Sequence, residues 1–202
     1  MKYLSMKHVV PAFVVAAGIY AQPSSAQHYA FDATHTKIIF AYNHLGMSNQ
    51  YGRFDGFDGE VAFSADKMAE AKVNVTIDAN SIDTDVAKLD EHLKSPDFFD
   101  TAKYPKITFK STGAKQTGSK SLQISGDLTI KGKTLPVVLD ATLNYQGEHP
   151  LAKFVKAYAG SQWLAFSART RVRRSDFDLG LYAPMTSDTV DIIIETELRE
   201  KK

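Results

Sequence analysis

Apolar and polar residues alternate along most of the chain, the period-2 signature of strands that bury one face. Ala71, Val73, Val75, Ile77 and Ala79 are apolar, and Lys72, Asn74, Thr76 and Asp78 between them are polar. Leu122, Ile124, Leu128 and Ile130 alternate with Gln123, Ser125, Asp127 and Thr129, and Leu135, Val137, Leu139, Ala141, Leu143 and Tyr145 continue the habit. Shorter runs of the same kind are Ile38-Phe40-Tyr42, Phe57-Val61-Phe63, Ile107-Phe109, Leu164-Phe166-Ala168 and Val190-Ile192-Ile194-Leu198. The pattern predicts about eight strands, joined by short turns such as 117–120 and 131–133. An antiparallel set of that size packs as a sandwich or closes as a barrel. Closure removes the exposed edges, and at roughly eight strands the interior is filled by side chains or holds one small ligand.

Two stretches break the alternation. Ser81 to Asp100 reads as a helical excursion, with Ser81, Asp83 and Thr84 as capping oxygens, Val86, Leu89 and Leu93 at helical spacing, and Pro96 as the stop. His149 to Gly160 is a longer connection whose Leu151, Phe154, Val155 and Tyr158 suit a short helical turn. No repeat or linker divides the chain, so a single domain is expected.

The first residues add a compartment. Met1 to His8 is basic, Val9 to Ala21 is free of charge, and Ser24-Ser25-Ala26 supplies small residues, which together predict a secretory signal peptide over 1–26. The apolar run holds about a dozen residues, short of the roughly 20 that span a bilayer, so no integral membrane anchor is expected. Cleavage after Ala26 leaves Gln27 as the new N-terminus, with Ala21 as the alternative. Losing Lys2 and Lys7 and no acid moves the formal charge from +1 to −1. A near-neutral domain has no general attraction for nucleic acid. Cysteine is absent, so neither disulfide nor thiol chemistry is available.

Candidate catalytic patterns dissolve on inspection. Gly52, Gly56 and Gly59 sit among Tyr51, Phe54 and Phe57 with no helix after them, which suits a bulged strand better than a phosphate cradle. Gly126 to Thr134 has five residues between its glycines and joins two strands, so nucleotide binding is not expected. His35 and His44, nine positions apart, face opposite sides of one regular strand and cannot share a metal without a bulge. His44 shares parity with Phe40 and Tyr42 and is expected to point inward as a polar anchor for a headgroup or as a satisfied core residue. Arg169, Arg171 and Arg173 share one face and read as a solvated outer stripe, with an anion or partner site as the alternative and Arg174 off that parity. A hydrolase or metal enzyme built on His44 lacks a partner constellation, and a side-chain-filled interaction module stays open beside a binding protein.

The order of several short motifs resembles the YceI-like family, bacterial lipocalin-like polyisoprenoid-binding proteins, over residues 28–199. The stretches are Asp32-Ala33-Thr34-His35-Thr36, His44-Leu45-Gly46, Tyr51-Gly52-Arg53-Phe54, Ser81-Ile82-Asp83-Thr84, Asp90 to Asp100, Tyr104-Pro105 and Gly126 to Ile130. Thr36 replaces a frequent serine, and the segment from His149 to Trp163 runs to its own length. The resemblance implies an all-β, extended eight-stranded antiparallel barrel with a short helical excursion between the third and fourth strands. It also implies a periplasmic location and a non-enzymatic role as carrier or sequestering protein. The partner implied is a polyisoprenoid, such as a quinone or polyprenyl compound, or another long apolar lipid; no cofactor is implied. Some relatives take fatty amphiphiles instead, and a homodimer stays open. The ligand-facing set expected is Phe40, Tyr42, His44, Phe57, Val75, Ile77, Ile82, Leu89, Phe98, Phe99, Phe109, Leu128, Leu139, Phe166 and Ile192. Phe98 and Phe99 either plug one end of the barrel or belong to ordinary core packing.

Overall fold

A computed structural model describes residues 26–202. The expected leader lies outside the described residues, apart from Ala26. The elements are β1 (Gln27–Phe31), β2 (Lys37–His44), β3 (Ser48–Phe54), β4 (Phe57–Phe63), β5 (Lys72–Asp78), β6 (Ile82–Asp83), α1 (Ala87–Lys94), β7 (Lys106–Gln116), β8 (Ser121–Ile130), β9 (Lys133–Glu148), β10 (Gln162–Arg173) and β11 (Thr186–Glu200).

The pieces assemble into eight long antiparallel staves. β1, β4, β5, β7, β8, β9, β10 and β11 hydrogen-bond in that order, and β11 returns to β1 through Tyr29↔Glu200 and Phe31↔Leu198. β2 continues β1 along the same β11, with Ile38 opposite Ile194, while β3 continues β4 and β6 continues β5 by pairing with β3. Every stave thus lies between its sequence neighbours, and the last closes on the first. The closed eight-stranded barrel has no free edge along its ring, which removes the template that an open sheet offers for aggregation.

The motif Asp32 to Thr36 makes the corner between β1 and β2. Asp32 N–H donates to Glu197 O at 2.9 Å and keeps the chain on β11. The Asp32 carboxylate accepts from Thr34 N–H at 2.9 Å and Thr34 Oγ1 at 2.6 Å, and His35 Nδ1 lies 2.9 Å from its other oxygen. Burial pushes the Asp32 carboxyl up, yet the hydrogen bonds from His35 and Thr34 outweigh it and hold the group below its ordinary value. The same hydrogen bond to Asp32 raises His35, with the charges of Asp32 and Glu197 adding to it. The expectation for His35 and His44 on one regular strand therefore gives way to a corner that separates them.

The β8–β9 hairpin turns in two residues, Lys131 and Gly132, both at positive φ (49° and 76°), as a turn matched to strand twist requires. Along β8 burial alternates without a break, and Leu122, Ile124, Leu128 and Ile130 are buried. The alternation of β9 holds from Leu135 to Leu143 and then stops, with Asn144, Tyr145 and Gln146 all exposed. Opposite Ala165 and Phe166 of β10 the register jumps from Tyr145 to Leu143, so Asn144 is an extra residue, and Tyr145 turns outward instead of inward.

The excursion between the third and fourth staves is helical only over Ala87–Lys94, and Ile82–Asp83 is strand. No side chain caps it in the expected way. Asp90 instead reaches back from the helix to accept from Thr84 N–H (2.8 Å) and Thr84 Oγ1 (2.7 Å). The motif residue Arg53 joins this excursion to β3, with ion pairs to Asp55, Asp83 and Asp85. At the other pole the 149–160 connection has a short helical turn at Lys156–Tyr158, and the Tyr158 ring stacks on His149 at 3.9 Å.

Candidate functional site

The inner face of the barrel encloses a cavity of about 400 Å³. Its lining is almost wholly aliphatic and aromatic, drawn from every stave and from α1. One end is sealed. Phe63, Leu122 and Leu198, which line that end, are each 1% exposed, and Phe63 meets Phe166 edge-on at 5.3 Å. At the other end the lining residues His44 and Tyr182 are open to solvent. Between the two, Phe40, Tyr42, Val75, Ile77, Val190, Ile192 and Ile194 point inward and yet are only half-buried. A side chain directed into a filled core has no such residual surface, because cores pack at crystal-like density.

The mouth is framed by α1, the segment after it, and the loop preceding β11. Leu89 and Leu93, one turn apart, put the same face of α1 over the cavity. The chain then folds back, Phe99 N–H donating to Leu93 O at 2.9 Å, which sets Phe98 and Phe99 under the helix. Phe99 meets Phe54 edge-on at 5.8 Å and so extends the wall. Phe98 lies against His92 at 5.0 Å and Tyr182 at 6.4 Å, so three rings, one each from α1, the segment after it and the loop before β11, border the opening. Phe98 and Phe99 thus belong to the mouth, and neither closes the cavity fully.

Polar groups inside are few and mostly committed. Deep in the cavity Thr36 Oγ1 and Thr196 Oγ1 hydrogen-bond to each other at 2.8 Å. Near the mouth Arg174, directly after β10, ties the loop before β11 to the first residues of that strand. Its Nε donates to Ser187 O at 2.9 Å, Nη1 to Leu179 O and to Leu181 O (2.8 Å), and Nη2 to Thr186 O and Oγ1 (both 2.9 Å). All five guanidinium hydrogens are thereby used. Burial draws the Arg174 pKa down, against the charges of Asp188 and Tyr42, but an arginine remains protonated throughout. Burial also raises the Tyr42 hydroxyl, opposed by the charge of Arg174.

Of the residues expected to face the interior, all but Phe57 and Ile82 line the cavity. Phe57 packs edge-on against Phe31 at 6.0 Å, and Phe31 takes the lining position. Ile82 is buried opposite Phe54 in β6, and it is Phe54 that fronts the cavity. The short helical turn at Ala79–Ser81 resets the alternation of β5 before Ile82 is reached. His44 lies at the cavity mouth but is exposed, so the expected buried imidazole is a rim residue. Arg169, Arg171 and Arg173 are exposed as anticipated, and Arg171 and Arg173 pair with Asp191 (2.6 Å) and Asp188 (3.1 Å). Sequence reasoning missed Arg174 and Tyr182 as mouth residues. The parity break between Arg173 and Arg174 was the available signal for the first; Tyr182 lies in an aperiodic loop and gave none.

Comparison with known proteins places this architecture. The chain is 40% identical to protein YceI of Escherichia coli O157:H7 over 171 residues, 85% of each chain. Among solved structures, BcnA of Burkholderia cenocepacia superposes with a TM-score of 0.73 at 24% identity, covering 83% of this chain and 98% of that one. A polyisoprenoid binding domain from Saccharophagus degradans, implicated in plant cell wall breakdown, gives a TM-score of 0.60 at 15% identity, covering 88% of this chain and all of that one. Residues 29–198 match the YceI-like domain, and the chain belongs to that family.

Proposed function

We propose that this protein binds the hydrocarbon tail of a polyisoprenoid, or of a similar long apolar lipid, in the barrel cavity, and serves as a carrier or sequestering protein rather than as an enzyme. The observation that carries the reading is the cavity of about 400 Å³ whose inward side chains keep free apolar surface. That volume falls in the range of roughly 300–1,000 Å³ typical of small-molecule sites. Each CH₂ moved from water to such walls contributes about 0.8 kcal/mol, so a tail needs no charged anchor to be held. Walls of Phe, Ile, Leu and Val discriminate by length and width and tolerate variation in the tail. The polyisoprenoid-binding name of the Saccharophagus degradans domain, a barrel of the same fold, supports the ligand class.

Catalysis would need free polar groups near a bound molecule. The hydroxyls of Thr36 and Thr196 bond to each other and the Arg174 donors are all engaged, which leaves Thr170 and Tyr42 on the wall and His44, His92 and Tyr182 at the rim. Those groups suit contact with a carbonyl or hydroxyl headgroup. The proposal places the protein in the periplasm, with Gln27 first in the mature chain; release by osmotic shock and N-terminal mass analysis test this.

The decisive experiment is organic extraction of the purified protein followed by mass spectrometry, with titration of the emptied protein by a detergent-solubilised polyprenol. A near-stoichiometric isoprenoid and saturable rebinding are expected. A fatty amphiphile in its place, with no saturable polyprenol binding, overturns the ligand assignment.

A further inference from the structure

We propose that the rim of the cavity mouth docks on the surface of a lipid bilayer, through the tip of the β2–β3 hairpin and the loop that precedes β11. The inference rests on the reading that the cavity takes a membrane-derived apolar lipid.

The two tips are adjacent. Leu45 N–H donates to Met185 O at 3.0 Å, and His44 pairs with Thr186 in the sheet. Together they expose Leu45, Met47, Leu181, Tyr182 and Met185, with Met47 80% and Met185 61% open. No Asp, Glu, Lys or Arg occurs from Asn43 to Gly52 or from Leu179 to Ser187. An uncharged pair of tips flanking an opening enters the headgroup layer without the cost of dehydrating a charged side chain, and its apolar side chains gain by burial at the acyl boundary. A tyrosine at such a rim matches the preference of amphipathic rings for the membrane interface. Leu45 and Leu181 adjoin His44 and Tyr182, which line the mouth, so the exposed apolar surface and the cavity wall run into each other. A tail leaving the bilayer along that path never crosses water.

A second copy of the chain is the competing occupant. Five exposed apolar side chains fall well short of the roughly 20–30 residues a side that a stable interface engages. They also sit on two protruding tips instead of a flat face. Exposed apolar residues occur elsewhere, notably Phe154, 83% open between Lys153 and Lys156, but that connection lies at the sealed pole and leads to no opening. It serves as the control.

The test is flotation of the purified protein with phosphatidylcholine vesicles that contain no isoprenoid, at low and high salt, beside the double variant Met47→Asp/Met185→Asp. Neither methionine lines the cavity. Wild-type protein is expected to partition onto vesicles with little dependence on salt, because the two docking tips carry no Asp, Glu, Lys or Arg to be screened. The double variant is expected to lose at least tenfold in partitioning and in the rate of polyprenol uptake from vesicles. Its melting temperature and its affinity for detergent-solubilised polyprenol are expected to be unchanged, which separates docking from folding and from binding. Equal partitioning of wild type and variant overturns the proposal, as does loss of partitioning on Phe154→Asp alone. A wild-type dimer that the double variant dissociates overturns it in favour of the second copy. Rim-dependent partitioning by a protein that binds no polyprenol supports docking and rejects only the ligand assignment.

Discussion

Substituting Val75 by Trp distinguishes an empty cavity from a filled one. Val75 sits mid-stave on β5, opposite Phe109 of β7, points into the cavity and is only half-buried. Tryptophan adds seven heavy atoms to the side chain, so the indole displaces about five to seven ligand carbons from the same space. At about 0.8 kcal/mol per buried CH₂ this removes on the order of 4–6 kcal/mol of binding, a loss of roughly a thousandfold or more in affinity. The empty protein, by contrast, gains contacts from a ring entering vacant volume, and its stability is expected to stay within about 1 kcal/mol of wild type. In a filled core the same insertion would overpack and cost about 1–3 kcal/mol. Denaturant melts of the emptied protein and titration with a solubilised polyprenol measure the two quantities on one sample. A variant destabilised by more than about 2 kcal/mol that binds as tightly as wild type, once folded, would refute the argument that Val75 faces usable space.

Three further outcomes follow from named contacts. His44→Phe is expected to leave the melting temperature of the empty protein unchanged, since the residue is exposed. It should weaken binding by no more than about tenfold while relaxing preference among tail-matched headgroups, and unchanged selectivity rejects an anchoring role. Arg174→Met removes the donors that tie Leu179, Leu181, Thr186 and Ser187 together and is expected to cost about 2–4 kcal/mol, with faster proteolysis of the loop before β11; a melt within 0.5 kcal/mol of wild type, roughly the size of an ordinary surface change, contradicts it. The Asp32–His35 pair sets a pH window. His35 is raised, so its contribution is complete below the ordinary histidine value and fades as pH climbs through the raised one. Asp32 is lowered, so its contribution is present above the ordinary carboxylate value and fades as pH falls through the lowered one. The melting-temperature gap between wild type and His35→Ala is therefore expected to be widest at weakly acidic pH and to shrink towards pH 9, a range set by the ~6.5 reference value of histidine. A gap that grows with alkalinity contradicts the assignment.

The alternation of single residues was enough to read the staves and most of the cavity wall, because a closed sheet forces every second side chain inward. It failed where the backbone left that period. The extra residue Asn144 turned Tyr145 outward, the corner at Asp32 to Thr36 split the first stave, and the turn at Ala79–Ser81 shifted Ile82 off the wall. Bulges and corners depend on what the neighbouring stave does and leave no periodic mark in their own strand. The mouth was least legible for a related reason. Leu179, Leu181 and Tyr182 lie in an aperiodic loop, and the loop is tied to the start of β11 by hydrogen bonds from Arg174, a residue whose break from the arginine parity says nothing of what it binds.

A tube sealed by Phe63, Leu122 and Leu198 at its far end is a cul-de-sac, and that limits what kind of traffic it can handle. Under the proposed reading a lipid would enter tail first and depart head first by the same doorway, so its polar end would be the last part in and the first part out. Such a vessel would not serve as a conduit bridging two surfaces at once. A carrier of this shape would have to let go of the donor, cross as a closed shuttle, and present the same opening to the acceptor. A tail longer than the tube would leave its surplus at the threshold, where His44 and Tyr182 stand, and the length of that overhang would govern how readily the next surface could seize it.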